Sequence, residues 1–89
     1  MCLFQLGNVV ATPAALKFCN ENNINPADLI NRHKGGDWGD LDASDTKANV
    51  SAIQHDMRIF SSYKVNGGKV WVITEADRSS TCVLLPEDY

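Results

Sequence analysis

The stretch Arg58–Thr74, RIFSSYKVNGGKVWVIT, decides the fold. From Arg58 onward its side chains alternate between two faces, which is the period of a β-strand. Asn66-Gly67 lies at its centre, and this dipeptide is typical of a two-residue hairpin turn because both residues adopt positive φ at little cost. The stretch therefore predicts a β-hairpin with strands at 58–65 and 69–75.

A third strand is predicted at 80–85, after a turn at 76–79. Pro86 should end this strand, because proline cannot donate to a β-ladder. Two short turns between three strands make an antiparallel meander. Its middle strand is apolar on both faces, so one face should receive the helices. The other face carries Phe60, Trp71 and Ile73; it is either a partly exposed interaction surface or is covered by the N-terminal segment.

Upstream of the meander the pattern predicts three helices, at 12–22, 25–34 and 44–56. The first two begin with a capping side chain followed by proline, Thr12-Pro13 and Asn25-Pro26. Either Asp42 or Ser44 should cap the third helix. The inward-facing residues are predicted from their helical spacing: Ala15, Leu16 and Cys19 on the first helix, Leu29, Ile30 and His33 on the second, and Thr46, Val50, Ile53 and Met57 on the third. A short N-terminal strand within 3–10 can join the sheet, so the predicted class is α+β.

Length and composition predict one cytoplasmic domain, 1–89. The chain has 89 residues, is 44% hydrophobic and has a net charge of −3, and its basic residues form no stripe that would neutralise phosphates. Direct nucleic-acid binding is therefore disfavoured. The three cysteines are far apart and fit neither a disulfide framework nor a zinc site. No signal peptide or membrane span is predicted.

The segment 33–45 is the first candidate binding region. Its four carboxylates, Asp37, Asp40, Asp42 and Asp45, invite a cation, but their spacing departs from the EF-hand loop. The two histidines lack zinc-site spacing. No metal and no cofactor are predicted. Trp38 is interpreted as a lid on the core, with a binding anchor as the alternative. The turn at 75–79 is the second candidate region, with Glu75, Asp77 and Arg78 able to recognise a polar partner; the alternative is a solvated hairpin tip.

Four segments carry a resemblance that covers nearly the whole chain: 36–41 (GDWGDL), 58–64 (RIFSSYK), 71–79 (WVITEADRS) and 84–89 (LLPEDY). In these the chain resembles a family of small uncharacterised bacterial proteins of plasmids and other mobile elements. Members are sometimes labelled plasmid-related, or as a subunit of type I restriction–modification. A methyltransferase needs an N/D-P-P-F/Y motif and a glycine-rich cofactor turn, whereas Asn25-Pro26-Ala27-Asp28 is a helix start. The resemblance implies no particular activity.

Two functional hypotheses follow. The preferred one is a non-enzymatic accessory protein of a mobile element, which acts through a protein partner or as a homo-oligomer. It rests on the absence of a recognisable catalytic motif and on the Trp71 face, so no catalytic residue is assigned. The rival is a small enzyme or a ligand or metal binder built on the 33–45 loop and the 75–79 turn, with His33 among its groups. That rival requires the two regions to meet around a pocket.

Overall fold

The computed structural model describes residues 2–89 and shows an α+β fold. The elements follow the predicted order, and outside the N-terminal strand no boundary differs by more than one residue. They are β1 (Asn8–Ala11), α1 (Pro13–Glu21), α2 (Pro26–Lys34), α3 (Ala43–His55), β2 (Ile59–Val65), β3 (Gly68–Thr74), β4 (Ser80–Leu84) and a short 3₁₀ turn (Pro86–Asp88). None of the described helices is long and apolar enough to cross a membrane.

The sheet contains the predicted meander, but it is mixed rather than purely antiparallel. Its strand order is β1-β4-β3-β2, and β1 pairs with β4 in the parallel direction. The β2–β3 hairpin turns at Asn66 and Gly67, whose φ angles of 45° and 83° are both positive, as the Asn-Gly signal predicts. The N-terminal strand spans Asn8–Ala11 instead of 3–10. The chain between β1 and the meander contains all three helices.

Local sequence explains where each helix begins. Thr12 Oγ1 accepts from the Ala15 N–H at the start of α1, and the Asn25 side chain accepts from the Ala27 N–H at the start of α2. Asp42, rather than Ser44, caps α3 by accepting from the Asp45 N–H. The predicted inner edge of α2 is confirmed, since its three residues Leu29, Ile30 and His33 are all buried.

The inner edges predicted for α1 and α3 are partly wrong. On α1, Leu16 is 49% exposed, whereas Ala15 and Cys19 are buried. On α3 the predicted stripe lies largely outside the core: Val50 and Met57 are exposed, and the buried residues are Asn49 and Ala52. Apolar spacing misleads here because α3 packs against the edge of the sheet, where a polar side chain bonds to the strand backbone.

The free edge of β2 is closed by two devices. The Asn49 amide bonds both backbone groups of Phe60, with its Nδ2 donating to Phe60 O (2.6 Å) and its Oδ1 accepting from Phe60 N (3.0 Å). Further along, Gly39 forms a parallel bridge with Ser62, and Asp40 N donates to Ser62 O (2.7 Å). Gly39 has a φ of 75°, and a Cβ there would lie 2.1 Å from Ser62 O, so glycine is required for this approach. Covered in this way, β2 cannot template further strands.

The Trp71 face is partly covered, but not by the N-terminal segment. Phe60 and Tyr89 pack edge-on against Trp71, with ring centroids 5.0 and 5.9 Å away. The expectation that the N-terminal segment covers this face is wrong, because that segment runs along α2 instead, where Leu3 N donates to Lys34 O (2.8 Å). Trp71 itself stays half-buried beneath the C-terminal turn.

Candidate functional site

The predicted residues of the 33–45 loop are bound to the protein itself. Asp37 Oδ2 accepts from Arg32 Nε (2.7 Å), and that guanidinium holds the pKa of the Asp37 carboxyl below its usual value. Asp40 Oδ2 accepts from Lys64 N (3.2 Å) at the β2 edge. Trp38 is buried, and its Nε1 donates to His33 O (3.1 Å), so this side chain lies on the core. Hydrogen bonds thus fix the loop to α2 and β2.

The predicted residues of the 75–79 turn are likewise engaged within the chain. Asp77 Oδ1 accepts from Ser79 N (2.9 Å), and Glu75 lies 3.5 Å from the Arg58 guanidinium. Arg78 donates from Nη2 to Ala52 O (2.9 Å) and from Nη1 to Met57 O (2.6 Å), which ties the turn to the end of α3. The planar guanidinium group of Arg78 therefore donates its hydrogen bonds to backbone carbonyls of the same chain.

The structure does not gather the two regions around a shared pocket. Phe4 contacts both sides instead: its ring meets His33 edge-on (5.2 Å) and lies 5.9 Å below the Arg78 guanidinium. Of three clefts in the described chain, one has Lys34 in its lining, and no other residue of the 33–45 loop or of the 75–79 turn lines any of them. Within residues 2–89 no three His, Cys, Asp or Glu side chains are grouped to hold a metal ion. The hydrogen-bonding groups of Asp37, Asp77 and Arg78 described above are thus engaged within the fold.

A buried polar chain runs across the inner face of the sheet. His33 Nδ1 lies 2.6 Å from Ser61 Oγ, and His33 Nε2 lies 2.9 Å from Thr74 Oγ1. Thr74 Oγ1 is 2.7 Å from Thr81 Oγ1, which donates to Leu6 O (2.8 Å). Because Thr81 gives its proton to that carbonyl, Thr74 must donate to Thr81 and His33 Nε2 to Thr74. Nδ1 then accepts from Ser61, which assigns the tautomer.

This Ser61–His33 pair resembles a nucleophile with its base, yet its surroundings make it structural. Both side chains are 0% exposed, so no substrate can reach the hydroxyl. Burial lowers the pKa of His33 to about 4, because the removal of the ring from water penalises the imidazolium ion. The network instead joins α2, β2, β3 and β4 by satisfying every polar atom it buries.

An open and largely apolar cleft lies beside β1, a strand for which the sequence pattern predicts no functional site. A cleft of about 430 Å³ runs between this strand and the two N-terminal helices. We call it the β1 groove; its lining residues are Val9, Val10, Ala11, Leu16, Pro26, Ala27, Ile30, Asn31 and Val83. None of these carries an ionisable side chain. Val9, Val10 and Leu16 are each about half exposed, at 51%, 50% and 49%.

The backbone of β1 is also open along the groove. Asn8 N donates to Ser79 O (3.0 Å) and Thr12 N donates to Val83 O (2.9 Å). In a parallel ladder alternate residues bond to one neighbour, so Asn8, Val10 and Thr12 face β4. The N–H and C=O groups of Val9 and Ala11 point to the opposite side, where no other strand of the described chain lies. The groove thus combines apolar side chains with free strand backbone.

The sequence indicates the apolar character of this site but not its location in the fold. Val9-Val10-Ala11 is an uncharged apolar run with two β-branched residues, and it lacks the lysine or proline with which edge strands are commonly protected. The pattern does not predict that this run lies at an edge of the sheet. That position depends on the pairing of β1 with β4, which is about 70 residues further along the chain. The spacing of Leu16 with Cys19 predicts a core position, whereas the orientation of α1 places Leu16 at the groove.

Comparison of this chain with models of protein families, with curated proteins and with solved structures finds no match. The case for its function therefore rests on its own geometry.

Proposed function

We propose that this protein acts by protein–protein contact through the β1 groove, as a non-enzymatic accessory protein. The observation that carries this proposal is the coincidence of an uncharged groove with an unpaired strand edge. Exposed strand edges bind extended polypeptide by main-chain hydrogen bonds, and adjoining pockets select its side chains. A partner would be a polypeptide segment in extended conformation with small apolar side chains.

The contrast between the two edges of the sheet supports the proposal. At the β2 edge, Asn49, Gly39 and Asp40 occupy the backbone groups. At the β1 edge no such cover is present among residues 2–89. A chain that protects one edge and leaves the other apolar and open has a surface suited to pairing. The Trp71 face is a weaker candidate, because Tyr89 from the C-terminal end already packs on the Trp71 ring.

The resemblance to small proteins of plasmids and other mobile elements supplies the biological setting of the proposal. In that setting the partner would be another protein encoded or used by the mobile element, or a second copy of this chain. The net charge of −3 is consistent with a role that does not require contact with nucleic-acid phosphates.

The experiment is affinity capture with a matched set of variants in cells that carry the mobile element. Leu16→Glu places a charge in the groove, whereas V50K changes a valine of equal exposure (48%) on α3. We expect the wild-type chain and V50K to retain the same bound protein, which can be a second copy of the chain, and L16E to lose it. Equal capture by all three chains, or no capture by any, would remove the proposal.

A further inference from the structure

We infer that the occupant of the β1 groove is a second copy of this chain, paired through β1 in antiparallel register about a two-fold axis at Val10. The inference rests on the proposed function and specifies its partner. It would join two four-stranded sheets edge to edge into one continuous sheet. The helices of both copies would then lie on the same side of that sheet.

The register follows from which backbone groups are free. Val9 and Ala11 are the β1 residues whose N–H and C=O point away from β4. With the axis at Val10, Val9 lies opposite the second copy's Ala11 and Ala11 opposite its Val9. Both become hydrogen-bonded pairs in which each residue donates and accepts. The strand is therefore complementary to itself, since every free group of these two residues finds a partner.

The side chains agree with the same register. Val9 and Ala11 pair with Thr81 and Val83 of β4 and so share the inner face, where the groove lies. In the dimer they would fill each other's groove beside Leu16. Val10 pairs with Cys82 on the outer face and would meet its own copy across the axis. Such β-branched cross-strand pairs are favourable.

Charge also favours a second copy. Neither β1 nor the rest of the groove lining contains an ionisable side chain, so bringing two copies together there opposes no like charges. A chain of net charge −3 would otherwise repel itself at a charged surface. The strand is short, with four residues, so the dimer should be weak, with a dissociation constant on the order of micromolar.

The first experiment measures the oligomeric state by sedimentation at chain concentrations from about 1 µM to 1 mM, a range set by the expected affinity. The wild-type chain should pass from monomer to dimer. Val10→Lys places two ammonium groups across the axis and should raise the dissociation constant about tenfold or more, while V50K leaves it unchanged. A chain that stays monomeric throughout, or a dimer that V10K does not weaken, overturns the inference.

The second experiment tests the register and does not depend on V10K folding. Cys82 neighbours Val10 on β4, so the background is C2S/C82A, which leaves only the buried Cys19. In this background V10C should form a disulfide-linked dimer, with oxidised glutathione accepting the two electrons, because opposed residues of a non-hydrogen-bonded pair have Cβ atoms about 4.5–5.5 Å apart. V9C lies opposite Ala11 and should link at least tenfold more slowly. Equal rates for the two variants overturn the register.

The outcomes separate this inference from the proposed function. If the chain is monomeric but captures a different protein that L16E releases, the groove is a docking site and the second copy is wrong. If the chain dimerises as described, both statements hold. If the chain is monomeric and the groove variants capture the same proteins as the wild type, both the proposed function and the inferred dimer are wrong.

Discussion

At the scale of single residues, His33 is the group whose environment differs most from water. It is fully buried between Ser61 and Thr74, and its pKa is lowered to about 4 from 6.5. The folded chain therefore holds a neutral imidazole, while the unfolded chain takes up a proton as soon as the pH falls below about 6.5. The contribution of neutral His33 to the free energy of unfolding is therefore at its full value above about pH 6.5, and it is lost as the pH falls toward 4.

This difference predicts a loss of about 3 kcal/mol of unfolding free energy between pH 7 and pH 4. Urea unfolding across that range measures it. His33→Gln should be less stable at pH 7, because it cannot satisfy both Ser61 and Thr74, but its stability should depend much less on pH in this window. H55Q, which changes the exposed histidine, is the control and should behave as the wild type. A wild-type chain equally stable at both pH values would contradict the buried neutral histidine.

At the scale of single elements, α3 covers part of the free edge of β2. One side chain of α3, Asn49, bonds both backbone groups of Phe60 and thereby replaces a neighbouring strand at that point. This explains why a polar residue, rather than the predicted apolar stripe, forms the buried face of α3. The helix is held to the sheet by hydrogen bonds as much as by apolar contact.

Asn49→Ala should therefore cost about 1–3 kcal/mol, because it leaves the Phe60 N–H and C=O without a partner at a partly buried edge. The measurement is the free energy of unfolding together with hydrogen exchange at the Phe60 amide, which should lose protection. Gln54→Ala, on an exposed position of the same helix, should change stability by less than about 0.5 kcal/mol. Unchanged protection of that amide in N49A would show that the edge is closed by something else.

At the scale of the whole molecule, Arg78 links parts of the chain that are distant in sequence. Its guanidinium donates to Ala52 O and Met57 O at the end of α3 and to Glu75 O and Ala76 O in its own turn. It also lies above the Phe4 ring. One side chain thus joins the N-terminal segment, the third helix and the last hairpin turn.

Arg78→Lys keeps the charge but not the fork, so it should lose about 1–3 kcal/mol, because a single ammonium cannot serve carbonyls on both sides. Thermal or urea unfolding provides the measurement. Arg58→Lys is the matched control, since its ion pair with Glu75 is exposed and should be worth about 0–1 kcal/mol. Equal losses in the two variants would mean that Arg78 contributes only a surface charge.

Local chemistry was sufficient to predict the elements of this protein. The Asn66-Gly67 turn, the Thr12-Pro13 and Asn25-Pro26 helix starts and the change of period at Arg58 are each encoded within a few residues. Such signals act through backbone preference and short-range hydrogen bonds, so they can be recognised before the fold is known. They predicted the three helices, the meander and the α+β class.

Only the tertiary structure decided the rest. It placed β1 parallel to β4 at an open edge, turned Leu16 toward the groove and joined the inward-facing His33 to Ser61 and Thr74. It also directed the candidate residues of the 33–45 loop and the 75–79 turn to partners within the fold. These outcomes depend on contacts between residues far apart in the chain, whose free energy comes from packing and desolvation, and sequence spacing does not encode them.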